Sequence, residues 1–328
     1  MKKCFDLEFL SRYRSALMGL AIFWIFFYHT GVSVPGLHSI VASGWMGVDI
    51  FFLVSGFGCC ASLTKNPDVP AFYKRRAVRI LPTWLAILLI MHLIGLQIGA
   101  HCPHTFWEGI QWYTGLGWWL GGLYYEWYIP TLLLFYVFAP LLFRMSGRQL
   151  LVGMGVAVLA GLLFHRFGLF EHLYMSYQRI PVMMLGFWAF KEFSKERQFR
   201  VIPACIMSVA GIALFLWGFS LKHGDLILSL GVRRYACLLF LIPLLKAISA
   251  VIGKAKFLAV PLVFLGGISM EIYLLHINKD YSSVVTDFLH SVLPASLVSV
   301  VWFIIVVAIS WLLHLAVKKL TALPSRPR

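Results

Sequence analysis

Long apolar runs, separated by short polar segments, recur from one end of the chain to the other. A transmembrane helix needs about 20 mainly apolar residues. By that measure the runs predict ten membrane helices, at roughly 15–33, 43–63, 80–99, 119–143, 149–165, 179–191, 201–221, 226–248, 257–277 and 296–317. The fifth and sixth are short. No internal repeat, soluble domain or long linker interrupts the series, and the segment before the first run has no cleavage-site pattern of a signal peptide. The expectation is an all-α membrane protein, a polytopic bundle forming one transmembrane domain over residues 1–328.

Composition agrees: 60% of residues are hydrophobic and only 12% charged, where soluble domains carry about 25%. The formal net charge of +15 is accounted for by cations that accumulate in cytoplasmic loops, without a nucleic-acid partner. With the N-terminus placed in the cytoplasm and ten alternating spans, 22 Lys and Arg fall in inner segments and 4 in outer ones. An odd number of spans or the reverse orientation destroys that asymmetry, so both termini are expected in the cytoplasm. The six cysteines (Cys4, Cys59, Cys60, Cys102, Cys205 and Cys237) show no metal-ligand spacing, and most lie inside spans. No disulfide framework and no metal are expected.

Ionisable groups inside a span are costly and mark a pathway or site by default. Here His29, Asp49, Glu126, Arg233, Arg234, Glu271 and His276 fall in the outer half of their spans. One shared depth favours a common cavity able to perform acid–base chemistry. The competing reading is helix–helix pairing inside the bundle, for example Asp49 with an arginine. His92 reads as a satisfied core or interface histidine. His101 and His104 lie in an outer loop without enough partners for zinc, and that loop's tryptophans fit an interfacial belt better than a sugar platform.

On the inner side, "FYKRRAVRILP" sets four cations within positions 74–79. Lys74, Arg75, Arg76 and Arg79 read as a cytoplasmic loop leading into the third helix, with Pro82 at its entry turn. Arg76 and Arg79 share a helical face and suit a phosphate group.

Five segments, in order, resemble the integral-membrane acyltransferase 3 family: "MGLAIFWIFFYHTG", "GWMGVDIFFLVSGFGCCASL", "FYKRRAVRILPTWL", "WYIPTLLLFYVFAPLL" and "GGISMEIYLLH". The resemblance implies transfer of an acyl group, commonly acetyl, from acyl-CoA to a hydroxyl of an extracytoplasmic glycan or envelope molecule. It also implies a multi-pass place in the cell membrane, a bacterial inner or plasma membrane, among membrane lipid. Carried over by position, it makes His29 catalytic, Arg76 and Arg79 contacts to the coenzyme, with Lys74 and Arg75 beside them, and Asp49 the counterpart of the family's second-helix aspartate. The chain departs from the family pattern in two places. The arginine that many members carry eleven positions before the histidine is Met18 here, with Arg14 one turn earlier. The glutamates expected after the tryptophan are Leu132 and Leu133, which leaves Glu126 to supply the carboxylate. No fused extracytoplasmic domain of the kind some relatives carry is expected.

The expected mechanism makes His29 a general base or acyl carrier, oriented by Asp49 or Glu126. Arg14, Arg233, Arg234, Trp127, Glu271 and His276 are the expected substrate contacts, with Arg233 or Arg234 at the oxyanion. The alternative is a transporter of a glycan lipid or organic anion. Intramembrane charge fits that as well, but no inverted repeat supports it.

Overall fold

A computed structural model gives the fold. It describes residues 4–32, 36–121, 127–221 and 225–321. In chain order the main helices are α1 (Arg14–His29), α2 (Met46–Lys65), α3 (Val69–Ile98), α4 (Phe106–Thr114) and α5 (Tyr128–Arg144). There follow α6 (Gly147–Arg166), α7 (Ile180–Phe193), α8 (Val201–Ser220) and α9 (Leu226–Lys254). The last are α10 (Lys256–Gly267), α11 (Ser269–Ile277), α12 (Lys279–Val292) and α13 (Ala295–Thr321). Among the described residues the one strand pairing is short and antiparallel, Cys4–Phe5 against Phe199–Arg200.

The protein is nearly all helical. Among the described residues six helices (α2, α3, α6, α8, α9 and α13) are long and apolar enough to cross a membrane, and α10 with α11 makes a seventh if the bent pair is one span. Helices α1 and α5 are apolar but shorter. Helix α2 sits at the centre, with 83% of its apolar window buried, whereas that of α8 is 11% buried and turns outward. Outward-facing Ile202, Ile206 and Val209 on α8 and Ile304 and Leu312 on α13 are exposed, as lipid-facing residues of a bundle must be.

Two sequence expectations change. Helix α3 begins at Val69, not near residue 80, so Lys74, Arg75, Arg76 and Arg79 are helical and Pro82 lies inside the helix. Pro70 in the first turn starts the helix. The basic residues after it are good helix formers, which a hydropathy window cannot recognise. The predicted helix at 257–277 is broken, with α10 and α11 meeting at 66°. The Gly266–Gly267 pair supplies the break, since paired small residues give a helix little resistance to kinking.

Glycines set the closest helix contacts. A Cβ on Gly266 would lie 1.9 Å from the Ser15 carbonyl oxygen, and one on Gly19 would lie 1.8 Å from that of Leu262. Helices α1 and α10 therefore touch backbone to backbone, the small-residue packing that membrane bundles favour. This contact sets the position of His29, at the end of α1, relative to α11. Gly266→Ala is expected to cost about 1–3 kcal/mol through overpacking, read as a lower Tm in detergent; an unchanged Tm would show that the two helices are not in contact. Outside the spans, Glu108 caps α4 by accepting from the backbone N–H groups of His104 at 2.7 Å and Thr105 at 3.1 Å. Those bonds hold its carboxyl below the usual range.

Candidate functional site: a histidine pair above a basic cavity

Helices α1 and α2 run antiparallel, so the end of α1 carrying His29 lies beside the start of α2, away from Lys65. Gly44 accordingly packs against Trp24 and Tyr28, while Gly58 packs against the Arg14 guanidinium. The bundle thus has a basic end, with Lys65, Lys74, Arg75, Lys318 and Lys319, and an opposite end at which His29 stands.

His29 Nδ1 lies 3.0 Å from His276 Nε2. His276 is buried, and its Nδ1 lies 2.6 Å from the Ile272 carbonyl oxygen one turn earlier on α11. A carbonyl only accepts, so His276 donates from Nδ1 and a neutral His276 presents Nε2 as an acceptor. His29 must then donate from Nδ1, which leaves its Nε2 with a free lone pair. The ring lines a cavity of about 450 Å³. Its walls include the hydroxyls of Thr30, Ser282, Ser283, Thr286 and Ser299, the side chains of Lys279 and His290, and the rings of Trp127 and Trp302. The polar wall comes from one face of α12, where positions 279, 282, 283, 286 and 290 fall at helical spacing.

Asp49 does not orient this ring. Its carboxylate Oδ1 lies 3.2 Å from Arg179 Nε, and both side chains are 2% exposed. The Arg179 guanidinium lies 4.6 Å from the centroid of Trp127 and donates from its terminal nitrogen to the Met175 carbonyl at 3.0 Å. Trp127 and Met175 both line the histidine cavity, so the ion pair holds its wall and does not touch its base. Thr131, one turn on, donates to the Trp127 backbone carbonyl at 2.7 Å. Glu126, the other expected orienting carboxylate, lies outside the described residues.

Neither Arg233 nor Arg234 lines the histidine cavity. Arg233 is buried between the rings of Trp45 and Phe219, with guanidinium-to-centroid distances of 5.6 and 4.4 Å. Arg234 donates to the Gln178 side-chain carbonyl and packs on Trp45 and Tyr174. Their places are taken by packing on aromatic rings, which suits a desolvated guanidinium.

At the basic end, Arg79 and Lys318 line a second cavity of about 360 Å³, together with Met18, Ser55, Tyr128, Tyr136, Glu271, Tyr273 and His314. Glu271 therefore belongs here and not to the outer group. Its carboxylate accepts from His314 Nδ1 at 2.9 Å. Arg76 is buried, donates to the Gly58 carbonyl at 3.1 Å and lies against Phe72 and Tyr136. Arg14 packs against Gly58, within electrostatic reach of Arg76 and Arg79. Lys74 and Arg75 are exposed on the same helix, with Arg75 3.4 Å from the Ser62 hydroxyl. His92, away from both cavities, is satisfied by the Tyr113 hydroxyl at 2.7 Å.

Arg179 and His314 escaped the sequence reading. The first, Arg179, sits at the edge of an apolar run, where depth alone does not mark it. The second stands in "SWLLHLAVKK" as an ionisable residue inside an apolar run, the signal that should have marked it.

A family description of an acyltransferase domain matches residues 16–315. The chain belongs to this acyltransferase family. No curated protein and no solved structure matches it. Membership agrees with the apolar helices in making the chain a multi-pass membrane acyltransferase. The histidine cavity of the acyltransferase lies within the matched span, as do the residues described around the basic cavity apart from Arg14 and Lys318.

Proposed function

We propose that the protein transfers an acyl group, acetyl in the simplest case, from acyl-CoA held at the basic end to a hydroxyl of an extracytoplasmic glycan or related envelope molecule. The observation that carries this reading is the His29–His276–Ile272 hydrogen-bond chain, which leaves His29 Nε2 unprotonated on a ring that lines a hydroxyl-bearing cavity. His29 Nε2 takes the proton of the acceptor hydroxyl as general base. His276 fixes the ring's orientation and tautomer, the part that a third group plays in a triad. Lys279, on the wall of the same cavity, supplies positive charge for the developing oxyanion. The cations at the opposite end support a cytoplasmic N-terminus and ten crossings, three of them made by the short helices α1, α5 and α7.

The donor side rests on Arg79 and Lys318, which line the basic cavity, and on Arg14 within electrostatic reach of Arg79. Guanidinium groups there suit the phosphates of a nucleotide-bearing thioester. Arg76 differs from Arg79 in being buried, with a terminal nitrogen donating to the Gly58 carbonyl. Arg79→Ala is expected to raise the KM for acyl-CoA about tenfold, the worth of one charge-assisted hydrogen bond. Arg76→Ala is expected mainly to lower Tm. Equal effects of both on KM, or none, would remove Arg79 from donor binding.

The whole reading is tested with the purified protein in nanodiscs. Acyl-CoA is supplied, and release of free thiol is followed with and without an envelope glycan fraction, whose products are then weighed by mass spectrometry. Acceptor-dependent thiol release with matching acyl addition is expected. Acylated product formed without any thioester donor would overturn the assignment of the basic cavity.

A further inference from the structure

We propose that His314 is a second catalytic residue, which takes the acyl group from the thioester before it reaches the acceptor; this rests on the acyl-CoA reading above. The geometry is that of a histidine–carboxylate dyad. His314 Nδ1 donates to Glu271 at 2.9 Å, which leaves Nε2 with its lone pair. Glu271 is buried, its side chain 5% exposed, while that of His314 is 34% exposed and lines the basic cavity. A buried carboxylate behind an accessible imidazole is the arrangement that fixes an imidazole's tautomer and orientation.

The position of the dyad is the second argument. Arg79 and Lys318 line the cavity that contains it. A donor bound by its phosphates there meets His314 before it meets His29. Between the two histidines stands an aromatic partition. Tyr128 and Tyr273 line the basic cavity, while their near neighbours in sequence, Trp127 and His276, line the other. The Tyr128 and Tyr273 rings lie 4.9 Å apart, and Tyr273 lies 5.9 Å from the His276 ring. A thioester arm extending to His29 has to displace this partition, whereas His314 is reached without doing so. A helix-to-helix ion pair between α11 and α13 does not by itself require the histidine to line the cavity, as His314 does while bonded to Glu271.

The step balances without a further reactant. Nε2 attacks the thioester carbonyl; the C–N bond forms, the C–S bond breaks, and the thiolate leaves. The Nδ1 proton passes to Glu271 and from there to the departing thiolate, so the products are an acyl-imidazole and a free thiol.

The test is isotope exchange in the full chain in nanodiscs, with labelled CoA, unlabelled acetyl-CoA and no acceptor. Wild type and His29→Ala are both expected to move label into acetyl-CoA. His314→Asn and Glu271→Gln are expected to lose exchange by about a hundredfold or more while still binding CoA, and CoA binding together with an unchanged elution profile shows that they are folded. Exchange at the wild-type rate in His314→Asn overturns the proposal, as does exchange lost in His29→Ala alone, which would put the acyl group on His29. Complete acyl transfer by wild type without exchange also overturns it, and leaves the acyl-CoA reading standing. Failure of acyl-CoA to support transfer at all removes both.

Discussion

His29→Ala is expected to lower acyl transfer by about a hundred- to ten-thousand-fold, the usual worth of a positioned general base. The loss should fall on kcat, with the KM for acyl-CoA nearly unchanged, because His29 lines the outer cavity and the cations suited to the donor line the other. Folding should survive. The side chain is only partly buried at the last turn of α1, and its one hydrogen bond is to His276. His276→Ala should do less damage to kcat, since it removes the group that orients the base and leaves the base in place. The measurement is steady-state kinetics on protein that elutes as wild type does. A His29→Ala variant with kcat near wild type would remove the histidine cavity from the chemistry, whatever becomes of the basic end.

How far the site could be read in advance depended on which coordinate the sequence carries. Position along an apolar run gives depth in a bundle. It says nothing about which way a residue points around its helix or which helix lies beside it. His29 and His276 were placed at one depth, and they meet. Asp49 was placed at that depth too, but it faces Arg179 at the start of α7, a residue at the edge of a run that a depth argument passes over. Arg233 and Arg234 turn toward Trp45 and its aromatic neighbours. Glu271 was misplaced because α10 and α11 read as one straight span. With the 66° break at Gly266–Gly267, Glu271 opens the second segment beside α13, and its depth no longer follows from counting residues. The basic start of α3 was hidden for another reason. Hydropathy ends where lipid ends, whereas a helix of Lys, Arg and Ala continues into water.

Asp49→Ala should be the most destabilising single change near the site, by about 3–5 kcal/mol, because it strands buried cations. Two guanidiniums depend on this carboxylate: Arg179 at 3.2 Å and Arg234, whose charge lies close enough to act on it. The opposite deletion should cost less. Arg179→Met leaves Asp49 with Arg234 still nearby, and the methionine replaces part of the lost packing on Trp127. The expected order of Tm in detergent is therefore wild type, then Arg179→Met, then Asp49→Ala. The Asp49→Leu, Arg179→Met double variant should recover stability relative to Asp49→Ala, since a buried pair replaced on both sides leaves fewer unpaired charges. That recovery should not restore function in full. Trp127 and Met175 form part of the histidine cavity's wall and are held by Arg179, so the double variant is expected to keep a raised acceptor KM with little change in the KM for acyl-CoA. If the double variant regained both stability and wild-type acceptor KM, the pair would be a packing element with no hold on the cavity. If Arg179→Met proved as damaging as Asp49→Ala, Arg234 would not be sharing the carboxylate.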